Sequence, residues 1–149
     1  NGRLCGCGRN GCLEAYCSAT GVARTAREFL DNSEEPSLLR EMKPEDITSL
    51  EVSKAAAKGD ALALRVYEFT GKMLGEACAD FATFCSPEAF VFFGGLTKAG
   101  DLLMKPLLKS YTESVMGIFR GKAKFLISSL DGAGAAVLGA SAIAKNAEH

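Results

Sequence analysis

Apolar side chains recur at helical spacing over most of the chain. The pattern predicts a helix from about 12 to 30, a short helix over 49–58 and a long helix over 60–85. The second half of the long helix is apolar nearly all round, so we expect neighbours to bury it on several sides. Cys78 and Cys85, which lie in this half, are predicted to be small core residues. A further helix is predicted over 101–115, kinked or restarted at Pro106.

Two short apolar runs depart from the helical spacing and are typical of strands. They cover 89–93 and 124–128, and the first is of the kind buried in a parallel sheet. Gly94 and Gly95 follow the first run and precede the next helix. A strand, a glycine pair and a helix in this order can bind a nucleotide at the carboxyl end of the strand. The alternative is that the glycine pair only forms a tight turn and binds no ligand.

The segment from Asp131 to Ser141 is rich in glycine and alanine and predicts a last helix that neighbours can approach closely. Asp131 is a good N-cap residue for it. Val137 stands where a Gly-x-Gly-x-x-Gly fingerprint needs its last glycine, so we interpret the segment as a packing element.

Composition and charge limit the classes of protein to which this chain can belong. Of 149 residues, 48% are hydrophobic and 23% charged, which is typical of a globular chain. Seventeen basic and 18 acidic residues leave a net charge of −1, which argues against a basic nucleic-acid face or a polybasic membrane anchor. No apolar run reaches the roughly 18 residues of a membrane span, and no signal peptide opens the sequence. We therefore expect a cytoplasmic protein.

Cysteines cluster at the start of the chain, where four of the six fall within the first 17 residues. Cys5, Cys7 and Cys12 stand among glycines, which let a backbone turn tightly enough for three thiolates to converge. We interpret them as zinc ligands, because Cys-x-Cys is too tight for an easy disulfide between its own members. Free thiols or redox chemistry are the alternatives. The identity of the fourth zinc ligand is open, and the candidates are Cys17, a water molecule or a residue outside this chain.

The motif Cys5-x-Cys7-Gly8-x-x-Gly11-Cys12-x-Glu14 resembles the zinc signature of the ROK family of bacterial sugar kinases, open reading frames and transcriptional repressors. The resemblance continues along nearly the whole chain and covers the C-terminal half of a family member. It implies an α/β fold, the helix-rich C-terminal part of an actin-like, ribonuclease H-like ATPase fold. The implied parts are a zinc loop over 1–14, a helical excursion over 31–60 and a nucleotide-side α/β part over 61–149.

The resemblance also implies roles for single residues. Glu14 would bind sugar hydroxyls, and a carboxylate is suited to this because it accepts two strong hydrogen bonds. Without the resemblance, Glu14 is simply a glutamate favoured by the dipole in the first turn of a helix. Gly94 and Gly95 would line the adenosine side of an ATP site. The family takes its fourth zinc ligand from a histidine upstream of the first cysteine, and no histidine precedes Cys5 here.

The implied function is that of an ATP-dependent hexose kinase of the glucokinase kind, which transfers a phosphoryl group from Mg-ATP to glucose or a related sugar. The alternatives are the effector-binding part of a sugar-responsive ROK repressor and a stand-alone zinc-binding interaction module. Neither the family's Asp-x-Gly-x-Thr phosphate loop nor a Walker loop occurs in the sequence, and the catalytic aspartate is expected upstream. We therefore expect these 149 residues alone to be inactive, with no catalytic residue among them. The complete protein is expected to be a homodimer that binds sugar and ATP. We expect it to bind no membrane, and no nucleic acid through this chain.

Overall fold

The computed structural model describes residues 2–130 together with Val137, Ser141, Ala142 and Lys145. The predicted last helix from Asp131 to Ser141 lies almost entirely outside these residues. Within the described part, helices predominate and two strands form one small sheet. None of the helices described is both long enough and apolar enough to cross a membrane.

We number the helices and strands in chain order and mention the short 3₁₀ turns by their residues. The elements are α1 (Glu14–Cys17), α2 (Ala19–Asp31), α3 (Ser49–Ala57), α4 (Ala61–Cys85), β1 (Ala89–Phe92), α5 (Asp101–Ser114) and β2 (Lys124–Ile127). The 3₁₀ turns are Leu38–Glu41, Pro44–Asp46, Gly95–Ala99 and Gly117–Phe119.

Capping side chains set the helix starts that the sequence predicted. The Thr48 hydroxyl accepts a hydrogen bond from the Glu51 backbone N–H at 3.3 Å, and an Asp60 carboxylate oxygen accepts one from Ala63 at 2.9 Å. Each bond satisfies a backbone donor that the first turn of a helix leaves without a partner. The predicted helices over 49–58 and 60–85 are confirmed as α3 and α4.

The single helix predicted from about 12 to 30 is wrong, because the chain breaks at Ser18. This residue has extended backbone angles (φ −103°, ψ 173°), and its hydroxyl accepts a hydrogen bond from the Gly21 N–H at 3.0 Å. Serine competes well for backbone donors outside a helix, so it starts α2 instead of continuing α1. As a result α1 is a single turn, separate from α2.

The two longest helices, α4 and α5, pack closely along small residues. A Cβ atom added at Gly75 would lie 2.4 Å from the Leu107 carbonyl oxygen, and one at Gly71 would lie 2.7 Å from Cγ of Pro106. Helix α5 runs through Pro106 from Asp101 to Ser114, so the predicted restart at this residue is wrong. The proline ring instead fills the space opposite Gly71.

The sheet consists of β1 and β2, which pair in parallel with Phe90 opposite Phe125. Helix α5 connects the two strands, and the Tyr111 ring packs against Phe125 with centroids 4.7 Å apart. Cys78 is buried in this cluster, as predicted for a small core residue. The same prediction is wrong for Cys85, which is exposed because it ends α4 beyond the packed part of the helix.

Candidate functional site

The cysteine-rich segment folds into a small closed loop at the start of the chain. Leu4 and Asn10 form an isolated antiparallel bridge, and the Gly11 N–H donates to the carbonyl oxygen of Arg3 at 2.9 Å. Gly11 has φ +79°, a left-handed conformation that glycine adopts without steric cost. The loop therefore returns on itself, so that cysteines at both of its ends come together.

Three thiols converge inside this loop. The Sγ atoms of Cys5, Cys7 and Cys12 all lie within 4.8 Å of one another, and those of Cys7 and Cys12 are 3.6 Å apart. Cys17 lies elsewhere, with its Sγ atom 3.7 Å from the Thr70 carbonyl oxygen, and burial raises its pKa to about 12. Over the described residues, the group of side chains that could hold a metal ion thus consists of three sulfurs.

Cys5 and Cys7 differ in how readily they lose a proton. Hydrogen bonds from the Arg9 backbone and then from its side chain lower the pKa of Cys7 to about 7. A backbone hydrogen bond at Cys7 also acts to lower the pKa of Cys5. The side-chain hydrogen bond with Glu14 and partial desolvation outweigh that effect and raise the pKa of Cys5 to about 11. Because thiolates are the metal-binding form, a bound cation would displace the proton of Cys5, whereas Cys7 loses its proton more readily.

Glu14 lies beside the cysteine cluster. It is the first residue of α1, and its Oε2 atom accepts a hydrogen bond from the Cys5 thiol at 3.3 Å. An open cleft of about 730 Å³ lies here, lined by Cys5, Cys7, Cys12, Glu14, Thr20 and Arg24. This volume lies within the roughly 300–1,000 Å³ of small-molecule sites. Thr20 and Arg24 were not predicted as site residues, although their spacing of four residues places both on one face of α2.

Gly94 and Gly95 lie at a second cleft, outside the cysteine loop. Gly94 follows β1 with φ +104°, and among the described residues no atom beyond the chain neighbours lies within 4 Å of a Cβ built on either glycine. A cleft of about 410 Å³ is lined by these glycines together with Lys98, Ser128 and Ser129. The serines had not been singled out, but they follow β2 directly. The carboxyl ends of two parallel strands meet at one sheet edge, which is where α/β folds bind ligands.

Comparisons with known proteins place this geometry in a family. The sequence model of the ROK family matches residues 1–147. The chain is 36% identical over 149 residues to a glucokinase of Halalkalibacterium halodurans, covering 99% of this chain and 45% of that protein. It is 29% identical to the DNA-binding transcriptional dual regulator NagC of Escherichia coli, covering 98% of this chain and 34% of that protein. The chain thus spans less than half the length of the curated relatives it matches.

A solved structure shows the same fold. The crystal structure of a ROK family glucokinase from Streptomyces griseus, in complex with glucose and AMPPNP, superposes with a TM-score of 0.78 at 32% identity. The match covers 88% of this chain and 44% of that one. The predicted fold class is confirmed: the chain is a helix-rich part of an actin-like α/β ATPase fold. The cysteine motif, the fold and the match over almost every residue agree, and the chain belongs to the ROK family.

Proposed function

We propose that this chain forms part of an ATP-dependent hexose kinase of the glucokinase kind, with glucose or a related hexose as the phosphoryl acceptor. One observation carries the proposal: the Glu14 carboxylate lies in a cleft of about 730 Å³ beside the cysteine cluster. The similarity to the glucokinases of Halalkalibacterium halodurans and Streptomyces griseus supports it.

In this proposal Glu14 binds the sugar. Its carboxylate accepts hydrogen bonds from hydroxyl groups, and bonds to a charged acceptor are stronger than neutral ones. The Thr20 hydroxyl and the Arg24 guanidinium, which line the same cleft, offer further polar contacts from α2. These residues bind and orient the hexose, while the base that takes the proton from its hydroxyl group lies outside this chain.

We propose that Cys5, Cys7 and Cys12 hold a structural zinc ion. Tetrahedral Zn–S bonds of ~2.3 Å separate sulfur atoms by roughly 3.8 Å, and the three Sγ atoms lie within 4.8 Å of one another. The soft sulfur donors suit zinc, and a fourth ligand would come from outside the described residues. When bound, the ion cross-links the loop and so limits the positions that the adjoining Glu14 can take.

We place the nucleotide at the second cleft, with Gly94 and Gly95 on the adenosine side. The open space beside both glycines lets a ligand approach the backbone. This assignment divides the chain into a zinc loop over 1–14, a helical excursion over 31–60 and a nucleotide-side part over 61–149. ATP would bind as its Mg²⁺ complex, in which the ion neutralises charge on the phosphates during transfer.

The direct test is a coupled assay of hexose-dependent ADP formation in the complete protein that contains this chain. Loss of one charged hydrogen bond costs about 1.5–3 kcal/mol, so Glu14→Gln should raise the hexose KM roughly 10- to 100-fold and leave the ATP KM unchanged. Glu113→Gln, an exposed change on α5, is the matched control. An unchanged hexose KM in Glu14→Gln would contradict the sugar role, and hexose-dependent turnover by the 149 residues alone would contradict their expected inactivity.

The second candidate function is the effector-binding part of a ROK repressor, which the match to NagC over 98% of this chain favours. The complete sequence discriminates between the two. A winged-helix segment would indicate the repressor, and an Asp-x-Gly-x-Thr loop would indicate the kinase. For either function we propose a cytoplasmic homodimer that binds no nucleic acid through this chain, and sedimentation of the complete protein tests the dimer.

A further inference from the structure

Arg3 is a buried charged residue two positions before the first cysteine of the loop. It is 9% exposed. Its carbonyl oxygen accepts a hydrogen bond from the Gly11 N–H at 2.9 Å, and its own N–H donates to the Tyr16 hydroxyl at 2.8 Å. The backbone of this one residue therefore connects the far end of the cysteine loop to α1, the helix that begins with Glu14.

The Arg3 side chain connects the same region to two further helices. Nη1 donates to the carbonyl oxygen of Ala15 in α1 at 3.2 Å, and Nη2 donates to Oε2 of Glu28 in α2 at 2.5 Å. The guanidinium also lies over the rings of Tyr16 and of Phe69 in α4, at 4.5 and 5.7 Å from their centroids. The planar fork of arginine makes several such contacts at once, which a lysine ammonium cannot do.

A second arginine closes a ring of contacts around Glu28. Nε of Arg24 donates to Oε1 of Glu28 at 2.9 Å, and Nη1 of Arg24 donates to the carbonyl oxygen of Leu4 at 3.3 Å. Leu4 immediately precedes Cys5 in the loop. Both carboxylate oxygens of Glu28 are therefore engaged by arginines that hold residues 3 and 4 against α2.

These contacts matter because α1 has little stability of its own. It is four residues long and no side chain caps its N-terminus, whereas isolated helices shorter than roughly 12 residues are marginal in water. Its position therefore depends on tertiary contacts, and two of them, at Ala15 and Tyr16, come from Arg3. The residue next to Ala15 is Glu14.

We infer that Arg3 is a positioning residue which, through Glu28 and Arg24, fixes the cysteine loop against α1 and so sets the distance between the three thiols and the Glu14 carboxylate. The inference deepens the proposed function, on which its sugar-binding consequence rests. Its metal-binding consequence does not depend on any kinase activity. The two consequences are measured separately.

The first experiment titrates the 149-residue chain with Cd²⁺ in the presence of a competing chelator and follows the ultraviolet absorbance of the Cd–thiolate bonds. Loss of residues that orient metal ligands typically lowers metal affinity 10- to 100-fold. We expect a decrease of about tenfold or more in Arg3→Met and Glu28→Gln, with partial recovery in Arg3→Lys, which keeps the charge but lacks the fork.

Arg65→Met is the matched control. Arg65 also pairs with a glutamate, Glu35, at 2.6 Å and also lies over an aromatic ring, that of Phe29 at 5.2 Å, but it does not contact the cysteine loop. We expect its Cd²⁺ affinity to stay within twofold of the wild type. Circular dichroism of each variant confirms folding, and Glu28→Gln decides the question if Arg3→Met does not fold.

The second experiment measures hexose kinetics in the complete protein. Arg3→Met and Glu28→Gln should raise the hexose KM about tenfold without changing the ATP KM, whereas a purely structural role would lower thermal stability and change neither constant. A weakened Cd²⁺ affinity in the two variants, together with no hexose turnover by the complete wild-type protein, would support the positioning role and reject the kinase. Absence of Cd²⁺ binding in the wild type, or affinities of folded Arg3→Met and Glu28→Gln within twofold of wild type, would overturn the inference.

Discussion

The contact between α4 and α5 at Gly75 leads to a quantitative prediction for Gly75→Ala. The new Cβ atom would lie 2.4 Å from the Leu107 carbonyl oxygen and 2.8 Å from both Cβ of Ser110 and the backbone nitrogen of Tyr111. Two of these three neighbours are backbone atoms inside a helix, so the contact cannot be relieved by rotating a side chain. The helices must therefore move apart at this contact.

The magnitude follows from two opposing terms. Replacing glycine by alanine inside a helix contributes about 1 kcal/mol of favourable helix propensity. Overpacking a close contact costs typically about 1–3 kcal/mol, and more where backbone must shift. Because this contact involves backbone on α5, we expect the unfavourable term to exceed 3 kcal/mol and the net loss of unfolding free energy to be roughly 2–3 kcal/mol.

Urea unfolding of the chain, followed by circular dichroism, measures this loss as a lower midpoint at unchanged slope. Gly71→Ala should cost less, because its nearest neighbour is the Pro106 ring rather than backbone. Gly117→Ala is the control: apart from its chain neighbours, no atom of the described residues lies within 4 Å of the new Cβ, so a change within about 1 kcal/mol is expected. If Gly75→Ala were as stable as the wild type, α4 and α5 could not be packed as closely as described.

Two further predictions concern Asp60, at the end of the helical excursion over 31–60, and the thiols of Cys7 and Cys17. Asp60 caps α4 and also accepts a hydrogen bond from the Leu38 N–H at 2.6 Å, so Asp60→Ala should lower the unfolding free energy by about 2–4 kcal/mol in a urea titration. Asp60→Asn, which keeps one acceptor, should cost less, and equal losses would argue against the second bond. In the metal-free chain Cys7, with its pKa lowered to about 7, should react with iodoacetamide at neutral pH. Cys17, with its pKa raised to about 12, should stay unmodified, since only the thiolate is nucleophilic. Peptide mass spectrometry over roughly pH 6–9, a range that spans the pKa of Cys7, measures the modification of each thiol. Modification of Cys7 and Cys17 at the same pH would contradict the prediction.

Local signals accounted for the helices that the sequence predicted well. Helix α3 begins after Thr48 and α4 after Asp60 because each cap bonds to a backbone group three residues away. Such information lies within a few residues of chain. The break at Ser18 is local too, but the apolar positions on either side continue the same spacing, so hydrophobic periodicity alone conceals it.

The residues of the candidate sites also fall into two groups: those that local sequence predicts and those whose position depends on tertiary packing. The cysteine motif predicts converging thiols because its glycines allow a closed loop of few residues, and the Sγ atoms of Cys5, Cys7 and Cys12 do converge. Thr20 and Arg24 were missed because a residue lines a cleft only by virtue of the direction in which its helix packs. Ser128 was missed because its place beside Gly94 depends on the pairing of β1 with β2.

The sequence by itself determined which short segments form helices, strands and a cysteine loop, since capping, periodicity and glycine conformation act between neighbours along the chain. Only the tertiary structure decided how these segments meet. Arg3 and Glu28 are 25 residues apart, and nothing in the spacing of either predicts their contact. It forms because packing α1 and α2 against α4 buries the Arg3 guanidinium, and a buried charge requires an opposite charge or hydrogen-bond acceptors beside it. That requirement is met where residues 3 and 4, at the start of the cysteine loop, lie against α1 and α2.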